Sequence, residues 1–325
     1  MWMICVPIWF GLACPAGVAT ETDSAGTREV SLVLDVTNGT QGGAPVEADA
    51  VFVDIFKDKR LLRTIEGTVG ADGKVVFEAL PAGPGVFAVP RVRHQEMMFS
   101  GRVVALRAGE EQITAGVRVF DVCFDTSKLS VRAHHIIIKA QPKMLAFEEY
   151  VMVVNSSDMA VSSERRDNQG RPIILEMLLP EGFKNLRTAS SFEEDAVVAT
   201  QNGFYDTMAI PPGEYEFRVS YSLDIPSERL NIVRRFTLPT SSVVVFGELG
   251  QARIEGLGAP ERATSPSGME VEYYRRTGLA AGDELAFEIT GFRVGSSGVT
   301  GWIVLAVVFG ALLLVALARL LREKS

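Results

Sequence analysis

The sequence of 325 residues has only three cysteines, Cys5, Cys14 and Cys123. Cys5 and Cys14 lie in an apolar N-terminal segment, residues 1–19, which ends in small residues and resembles a secretory signal. Cleavage after this segment would leave Cys123 as the single thiol, so an intrachain disulfide is excluded. We expect Cys123 to be a small, buried apolar residue with no redox role.

Histidine is equally scarce, with His94, His134 and His135 as the three examples. His134 and His135 are adjacent on a predicted strand, so their side chains point to opposite faces and cannot bind one metal ion. His94 belongs to a different predicted domain. No histidine or cysteine has the spacing of a metal site, and we expect all three histidines to be structural polar residues near strand ends.

Motifs of catalysis are missing too. The sequence has no Gly-x-Ser-x-Gly element, and glycines 39, 42 and 43 precede no predicted helix, so they indicate a turn and not a phosphate-binding loop. The acidic run Glu193-Glu194-Asp195 lacks the alternating ligands and glycine of a calcium loop, which favours a solvated loop. We therefore predict no catalytic, cofactor-binding or metal-binding residues and no cofactor. A hydrolase with a scattered site is the disfavoured alternative.

Basic residues are fewer than acidic ones, 32 against 40, which gives a net charge of −8. Nucleic-acid binding requires a basic surface, so the composition argues against such a partner. By the same reasoning, the acidic average argues against docking of the globular part on anionic lipid.

Long uncharged runs occur only at the two ends of the chain. Residues 301–318 contain no charge, and we predict a transmembrane helix over residues 301–321. Trp302 marks its upstream edge, whereas Arg319, Arg322 and Lys324 follow, which places residues 322–325 in the cytoplasm.

At the other end, residues 1–19 are the predicted signal peptide and residues 20–27 a flexible leader. Two alternatives stay open for the first segment. It lacks a basic start, so it would also fit an uncleaved anchor, and Gly11-Leu12-Ala13-Cys14 superficially resembles a lipidation site.

Between the ends, short alternating strands separated by turn residues predict a mainly β protein with two sandwiches in tandem. In the first, residues 28–122, Asp72-Gly73 is predicted to form a tight hairpin turn. The segments NGTQGGAPVEADAVFVDIF and TVGADGKVVFEALPAGPGVFAV resemble a carboxypeptidase regulatory-like, transthyretin-like domain. The positions that carry the resemblance are Pro45, Val46, Ala50, Thr68, Asp72, Gly73, Phe77, Leu80, Pro81 and Gly83. The resemblance implies a binding or spacer module without catalytic residues.

Residues 127–293 are predicted to form a second, Ig-like β domain. Its clearest alternation places Tyr215, Phe217, Val219 and Tyr221 on one face, which we expect to be buried. Residues 159–171 are predicted to be an exposed connection. Residues 251–293 either complete this domain or form a separate hairpin near the membrane, and we favour the former because an isolated hairpin is marginally stable. Residues 294–300 form a short joint.

These features together predict a single-pass protein of a bacterial inner membrane, with both β domains in the periplasm or outside the cell. The function we expect is binding or scaffolding of an unidentified protein or surface polymer, without catalysis. The alternative is an accessory subunit of a membrane transport or envelope-assembly complex, whose helix packs on partner helices. The helix carries no Gly-x-x-x-Gly pair that would indicate a dimer face.

Overall fold

The computed structural model describes residues 28–292, with gaps at 142, 226–227 and 265–269. Strands account for 63% of the structure and helices for 2%, so the predicted mainly β class is confirmed, and the several sheets are consistent with β-sandwiches. The predicted signal, leader, joint, transmembrane helix and tail lie outside the described residues. Among the residues described, no helix is long and apolar enough to cross a membrane.

Eight strands within residues 28–119 form what we call the first body. They are β1 (Arg28–Asn38), β2 (Ala50–Lys57), β3 (Arg60–Thr68), β4 (Lys74–Ala82), β5 (Val86–His94), β6 (Met97–Ser100), β7 (Val104–Ala105) and β8 (Gln112–Val119). One sheet has the order β4-β1-β8, and the other has the order β3-β2-β5-β6 with β7 also paired to β5. Both sheets contribute alternate apolar side chains to one core that includes Leu32, Leu34, Val53 and Ile55.

A short segment follows, with β9 (Val122–Cys123) and a one-turn 3₁₀ helix at Thr126–Lys128. The remaining strands are β10 (Leu129–Gln141), β11 (Met144–Asn155), β12 (Ala160–Val161), β13 (Leu175–Leu178), β14 (Lys184–Ser190), β15 (Val197–Thr200), β16 (Gly203–Asp206), β17 (Gly213–Asp224), β18 (Arg229–Arg235), β19 (Thr240–Glu248), β20 (Arg253–Glu255), β21 (Glu261–Thr264), β22 (Glu270–Leu279) and β23 (Glu284–Thr290). A second 3₁₀ turn lies at Glu194–Ala196.

The second body, residues 129–290, is built on a seven-stranded sheet of order β14-β17-β11-β10-β19-β22-β21. Two three-stranded sheets, β13-β16-β15 and β18-β23-β20, share one core with the large sheet. β22 pairs with β19, and β23 pairs with β18 and β20, so neither strand belongs to a separate hairpin. The stripe from Tyr215 to Tyr221 faces this core, with Tyr215 only partly buried.

Two local predictions are wrong. Gly73 does have a positive φ of 76°, but the turn at Asp72-Gly73 joins strands of different sheets and is not a hairpin turn. Residues 159–171 are not fully exposed, because Ala160, Val161, Ser162 and Ser163 are buried. Local sequence patterns identify the turn and the polar run. They do not show which sheet each flanking strand joins, because that depends on contacts between residues distant in sequence.

Candidate functional site

The pairs of adjacent identical polar residues on strands of the second body include His134-His135 on β10, Glu148-Glu149 on β11 and Arg234-Arg235 on β18. Successive side chains of a strand point to opposite faces, so one member of each pair must face the core. Those members are His134, Glu149 and Arg234, and all three are buried. The pattern alone does not identify Glu149 and Arg234, because both members of the similar pair Arg275-Arg276 on β22 are exposed. Neither Glu149 nor Arg234 was predicted from the sequence.

The Glu149 carboxylate is the centre of a buried polar cluster that links the large sheet to β18. The Tyr221 hydroxyl donates to its Oε1 at 2.6 Å, and Arg234 Nη2 donates to its Oε2 at 2.7 Å. His134 Nε2 lies 2.7 Å from the same Oε2. Because β10, β11 and β17 are neighbours in the sheet, their registers bring the three side chains together, while Arg234 reaches them from the opposite layer.

Burial and the charges within the cluster shift the pKa values of Glu149 and Tyr221 in opposite directions. Burial by itself would raise the pKa of Glu149, but the charge of Arg234 and the hydrogen bonds from His134 and Tyr221 lower it from 4.5 to about 2. Burial, together with the charge of Glu149, raises the pKa of Tyr221 well above its usual value. The carboxylate is therefore ionised at neutral pH, and Arg234 and Glu149 form a buried ion pair.

A small cavity of about 30 Å³ lies beside the cluster, lined in part by His134, Arg234, Phe236 and Thr240. The Nε and Nη1 atoms of Arg234 are buried, and neither has a hydrogen-bond partner among the described residues. A cavity of this size is large enough for a water molecule. The arrangement can thus order water around a fixed charge, but it places no serine, cysteine or lysine nucleophile next to a base.

A larger concavity of about 200 Å³ lies on the other side of the same sheet, and its lining includes Tyr150, Arg187 and Arg218. Arg218 stacks over the Tyr150 ring at 5.0 Å. This volume is below the range of about 300–1,000 Å³ that is typical of small-molecule sites. Nor do the described residues contain any group of three or more His, Cys, Asp or Glu side chains arranged to hold a metal ion.

The second polar cluster lies where the two bodies meet. His94 is buried, with Nδ1 2.6 Å from Asp49 Oδ2 and Nε2 3.1 Å from Asp121 Oδ1. Asn38 Nδ2 donates to the same Asp121 oxygen at 2.7 Å, and the Ala44 amide donates to the Asp121 carboxylate. Burial raises the pKa of Asp121, but the hydrogen bonds from His94 and Asn38 outweigh this effect and lower it. Asp121 immediately precedes β9, so this network fixes the start of the connection to the second body.

Further contacts fasten the second body to this junction. Thr40 Oγ1 accepts from the Asp121 amide and donates to the Asp158 carbonyl, and the Gln41 amide donates to the Asp158 carboxylate. β9 and β12 pair in parallel. Ala160, the first residue of β12, is fully buried and packs in the core of the first body. The glycine-rich turn of residues 39–43 is therefore part of an interface between the two bodies.

We expect Ala160→Leu to destabilise the protein by about 1–3 kcal/mol, because added methylene groups have no room in a close-packed core. Thermal and urea unfolding of the full chain would measure the loss. The matched control is Ala189→Leu on β14, where the side chain is exposed. Equal stability of both variants would show that Ala160 does not pack tightly between the bodies.

The sequence-based expectations for single residues have mixed outcomes. His94 ends β5 as predicted, but His134 and His135 lie in the middle of β10, so their predicted position near a strand end is wrong. Cys123 is only partly buried and packs against the second core. Glu193 and Asp195 are exposed; Glu193 precedes the second 3₁₀ turn, and Asp195 lies within it.

Comparison with known proteins adds no assignment. No protein-family model matches the chain, and no curated protein matches it at a significant level. The resemblance of about residues 28–121 to carboxypeptidase regulatory-like domains therefore stays a prediction.

Proposed function

We propose that the chain is a membrane-tethered binding or scaffolding protein without catalytic activity. In this proposal a transthyretin-like and an Ig-like sandwich stand outside the cytoplasm of a bacterial cell, and residues 301–321 hold them at the inner membrane. The observation that supports it best is the placement of the chain's connections relative to the junction between the two bodies.

In the second body, the junction end is the end where Leu129 pairs with Asn155 and Val131 pairs with Thr240. β23 runs away from this end, because Thr290 pairs with Arg229 and Arg253 at the opposite end. The chain therefore leaves the second body at its far end, toward the predicted tether. β10 has 13 residues, which corresponds to a length of about 40 Å.

In the first body, β2 begins beside the junction cluster at Ala50 and runs to Lys57 at the far end. The predicted tether thus follows the end of the second body that lies away from the junction. The β2–β3 turn lies at the end of the first body that is away from the junction. Since hydrogen bonds and the buried Ala160 fasten the junction, the second body acts as a spacer between the membrane and the far end of the first body.

The tether is tested by expressing the full chain and a variant that lacks residues 301–321. We expect the full chain to resist alkaline extraction from membranes and the shortened chain to be soluble and folded after export. Recovery of the full chain in the soluble fraction would overturn the membrane assignment, and aggregation of the shortened chain would contradict self-contained β bodies.

A foreign helix in place of residues 301–321 separates the scaffolding role from the accessory-subunit alternative. Crosslinked partners in native membranes should persist with the foreign helix if the β bodies make the contacts. Loss of every partner with the foreign helix would instead support a helix that packs in a membrane complex.

A further inference from the structure

The outer face of the β3-β2-β5-β7 part of the first body carries an apolar row at its far end. Phe56 pairs with Leu61 on one side and with Phe87 on the other, and Phe87 pairs with Ala105. Cross-strand partners share a face of the sheet, so the four side chains form a continuous row. On β2 the core-facing positions are Val51, Val53 and Ile55, which places Phe56 on the outer face.

Several apolar side chains in and beside this row are exposed to an unusual degree. Leu61 is 55% exposed, Leu62 is 51% exposed, and Val103, just before β7, is 65% exposed. A register shift between β2 and β3 lies next to the two leucines. Because the shift interrupts the alternation of the edge strand, both leucines face solvent.

Positive charge lies at the end of the same apolar row. Residues 57–63, KDKRLLR, contain four basic residues and one acidic residue, in a chain whose net charge is −8. Arg63 pairs with the core-facing Ile55 and donates to the Ala79 carbonyl, so it points away from the outer face. Asp58 and Lys59 both have positive φ, 50° and 66°, which gives the tight β2–β3 turn. Exposed Lys57, Lys59 and Arg60 thus lie together at the end of the sheet.

We propose that this far-end surface docks on an anionic lipid bilayer that faces it, opposite the membrane of the predicted tether. We call it the distal face and define it by Phe56, Leu61, Leu62, Phe87 and Val103 together with Lys57, Lys59 and Arg60. The inference deepens the proposed binding role by naming the partner of the first body's far end. It does not depend on the predicted tether, because the distal face lies within the described residues.

The form of the distal face favours a lipid surface over a folded acidic protein. Protein interfaces place their strongest contacts in well-packed central pockets, whereas Leu61, Leu62 and Val103 are more than half exposed on this surface. Exposed leucines next to lysine and arginine suit a bilayer, since the leucines enter the interface while the long basic side chains reach the phosphate groups.

The course of β1 adds a second argument. Arg28 pairs with Ala82, while the other end of β1 lies at the junction. Gly85, three residues beyond Ala82, accepts a hydrogen bond from the Asp58 amide. β1 thus begins next to the β2–β3 turn, so the distal face includes the end of the first body at which the described residues start.

The test measures binding of lipid vesicles to the full chain. The chain is held in phosphatidylcholine nanodiscs, or is kept in solution if it is soluble without lipid. Vesicles of phosphatidylglycerol mixed with phosphatidylcholine should bind the chain, and vesicles of phosphatidylcholine alone should not. Each basic residue near an anionic surface strengthens binding about fivefold, so loss of the two basic charges in Lys59→Glu with Arg60→Glu should weaken it at least ~25-fold. Binding of the unaltered chain should also weaken as salt is raised.

Matched controls separate the distal face from net charge and general hydrophobicity. Lys143→Glu with Arg253→Glu makes the same charge change on exposed residues of the second body and should leave vesicle binding within about twofold. Leu61→Ser with Leu62→Ser should reduce binding, whereas Val76→Ser with Val233→Ser, at exposed positions elsewhere, should not. Thermal unfolding confirms that each variant is folded.

Three outcomes would overturn the proposal. The first is equal binding to neutral and anionic vesicles, and the second is equal binding by the distal-face and control variants. The third is absence of vesicle binding with retained, charge-dependent binding of a polyglutamate peptide, which would assign the distal face to an acidic protein. None of these outcomes bears on the tether, whose test uses extraction of the chain from membranes.

Discussion

Replacing Glu149 by glutamine is expected to destabilise the protein by about 3–5 kcal/mol, because the change leaves Arg234 buried without an opposite charge. Both side chains are fully buried, and the carboxylate also accepts a hydrogen bond from Tyr221. Glutamine keeps the shape of the side chain, so the loss measures charge and hydrogen bonding and not a cavity. Urea unfolding at neutral pH, monitored by circular dichroism, gives the free energy of unfolding.

The neighbouring residue supplies the control. Glu148 points to the outer face of the same strand and pairs with Lys139, with both side chains partly exposed. Exposed ion pairs contribute at most about 1 kcal/mol, so Glu148→Gln should change the free energy of unfolding only slightly. Similar losses in the two glutamine variants would mean that Arg234 finds another partner or reaches water when Glu149 is neutral.

A double-mutant cycle isolates the pair from the rest of the cluster. Arg234→Met removes the buried cation and leaves the hydrogen bonds of Tyr221 and His134 to Glu149 in place. Once Glu149 is neutral, Arg234→Met should cost less than it does alone, and the double variant should lose less than the sum of the single losses. Strict additivity would contradict a direct charge interaction between the two side chains.

Strand periodicity explains how much of the fold the sequence predicts. Alternation of Tyr215, Phe217, Val219 and Tyr221 predicts a strand with one buried face, and the structure has that strand as part of β17. The same rule predicts opposite orientations for His134 and His135, and the structure buries His134 far more completely than His135. These predictions succeed because they depend only on local backbone geometry.

Local backbone geometry does not predict contacts between side chains or strands that are distant in sequence. Glu149 and Arg234 are 85 positions apart, and nothing near either residue indicates that the other lies across the core. The turn at Asp72-Gly73 has the local chemistry of a hairpin, yet β3 and β4 join different sheets. In both cases the outcome is decided by how the two layers of a body pack, which depends on every strand at once.

The net charge of the whole chain also fails to predict the local charge of one part of its surface. The net charge of −8 argues against an anionic partner for the chain as a whole. The fold nevertheless places exposed Lys57, Lys59 and Arg60 together at one hairpin turn. A sequence average gives the long-range field of a protein, whereas docking on a surface depends on the charges within about a Debye length, some 8–10 Å, of the contact.

A second buried acid should respond to pH in the direction opposite to Glu149. Asp206, at the end of β16, is almost fully buried, and its Oδ1 accepts a hydrogen bond from the Met208 amide at 2.9 Å. No basic side chain is paired with it among the described residues. Burial raises its pKa from 3.8 to about 6, the backbone hydrogen bonds oppose this shift, and the negative charge of Glu193 adds to it.

Asp206→Asn should therefore stabilise the protein above pH 6 by up to about 3 kcal/mol, since each pKa unit corresponds to about 1.36 kcal/mol. An acid whose pKa is raised on folding binds its proton more tightly in the folded state. Its contribution to stability is full below pH 3.8 and is lost as the pH rises through about 6. The variant removes this loss and retains an oxygen for the Met208 amide.

The free energy of unfolding, measured at pH 5 and at pH 8, should fall less with pH for the variant than for the unaltered chain. The control Asp195→Asn, at an exposed position, should leave this fall unchanged. An equal decline in all three proteins would mean that Asp206 is already solvated when folded.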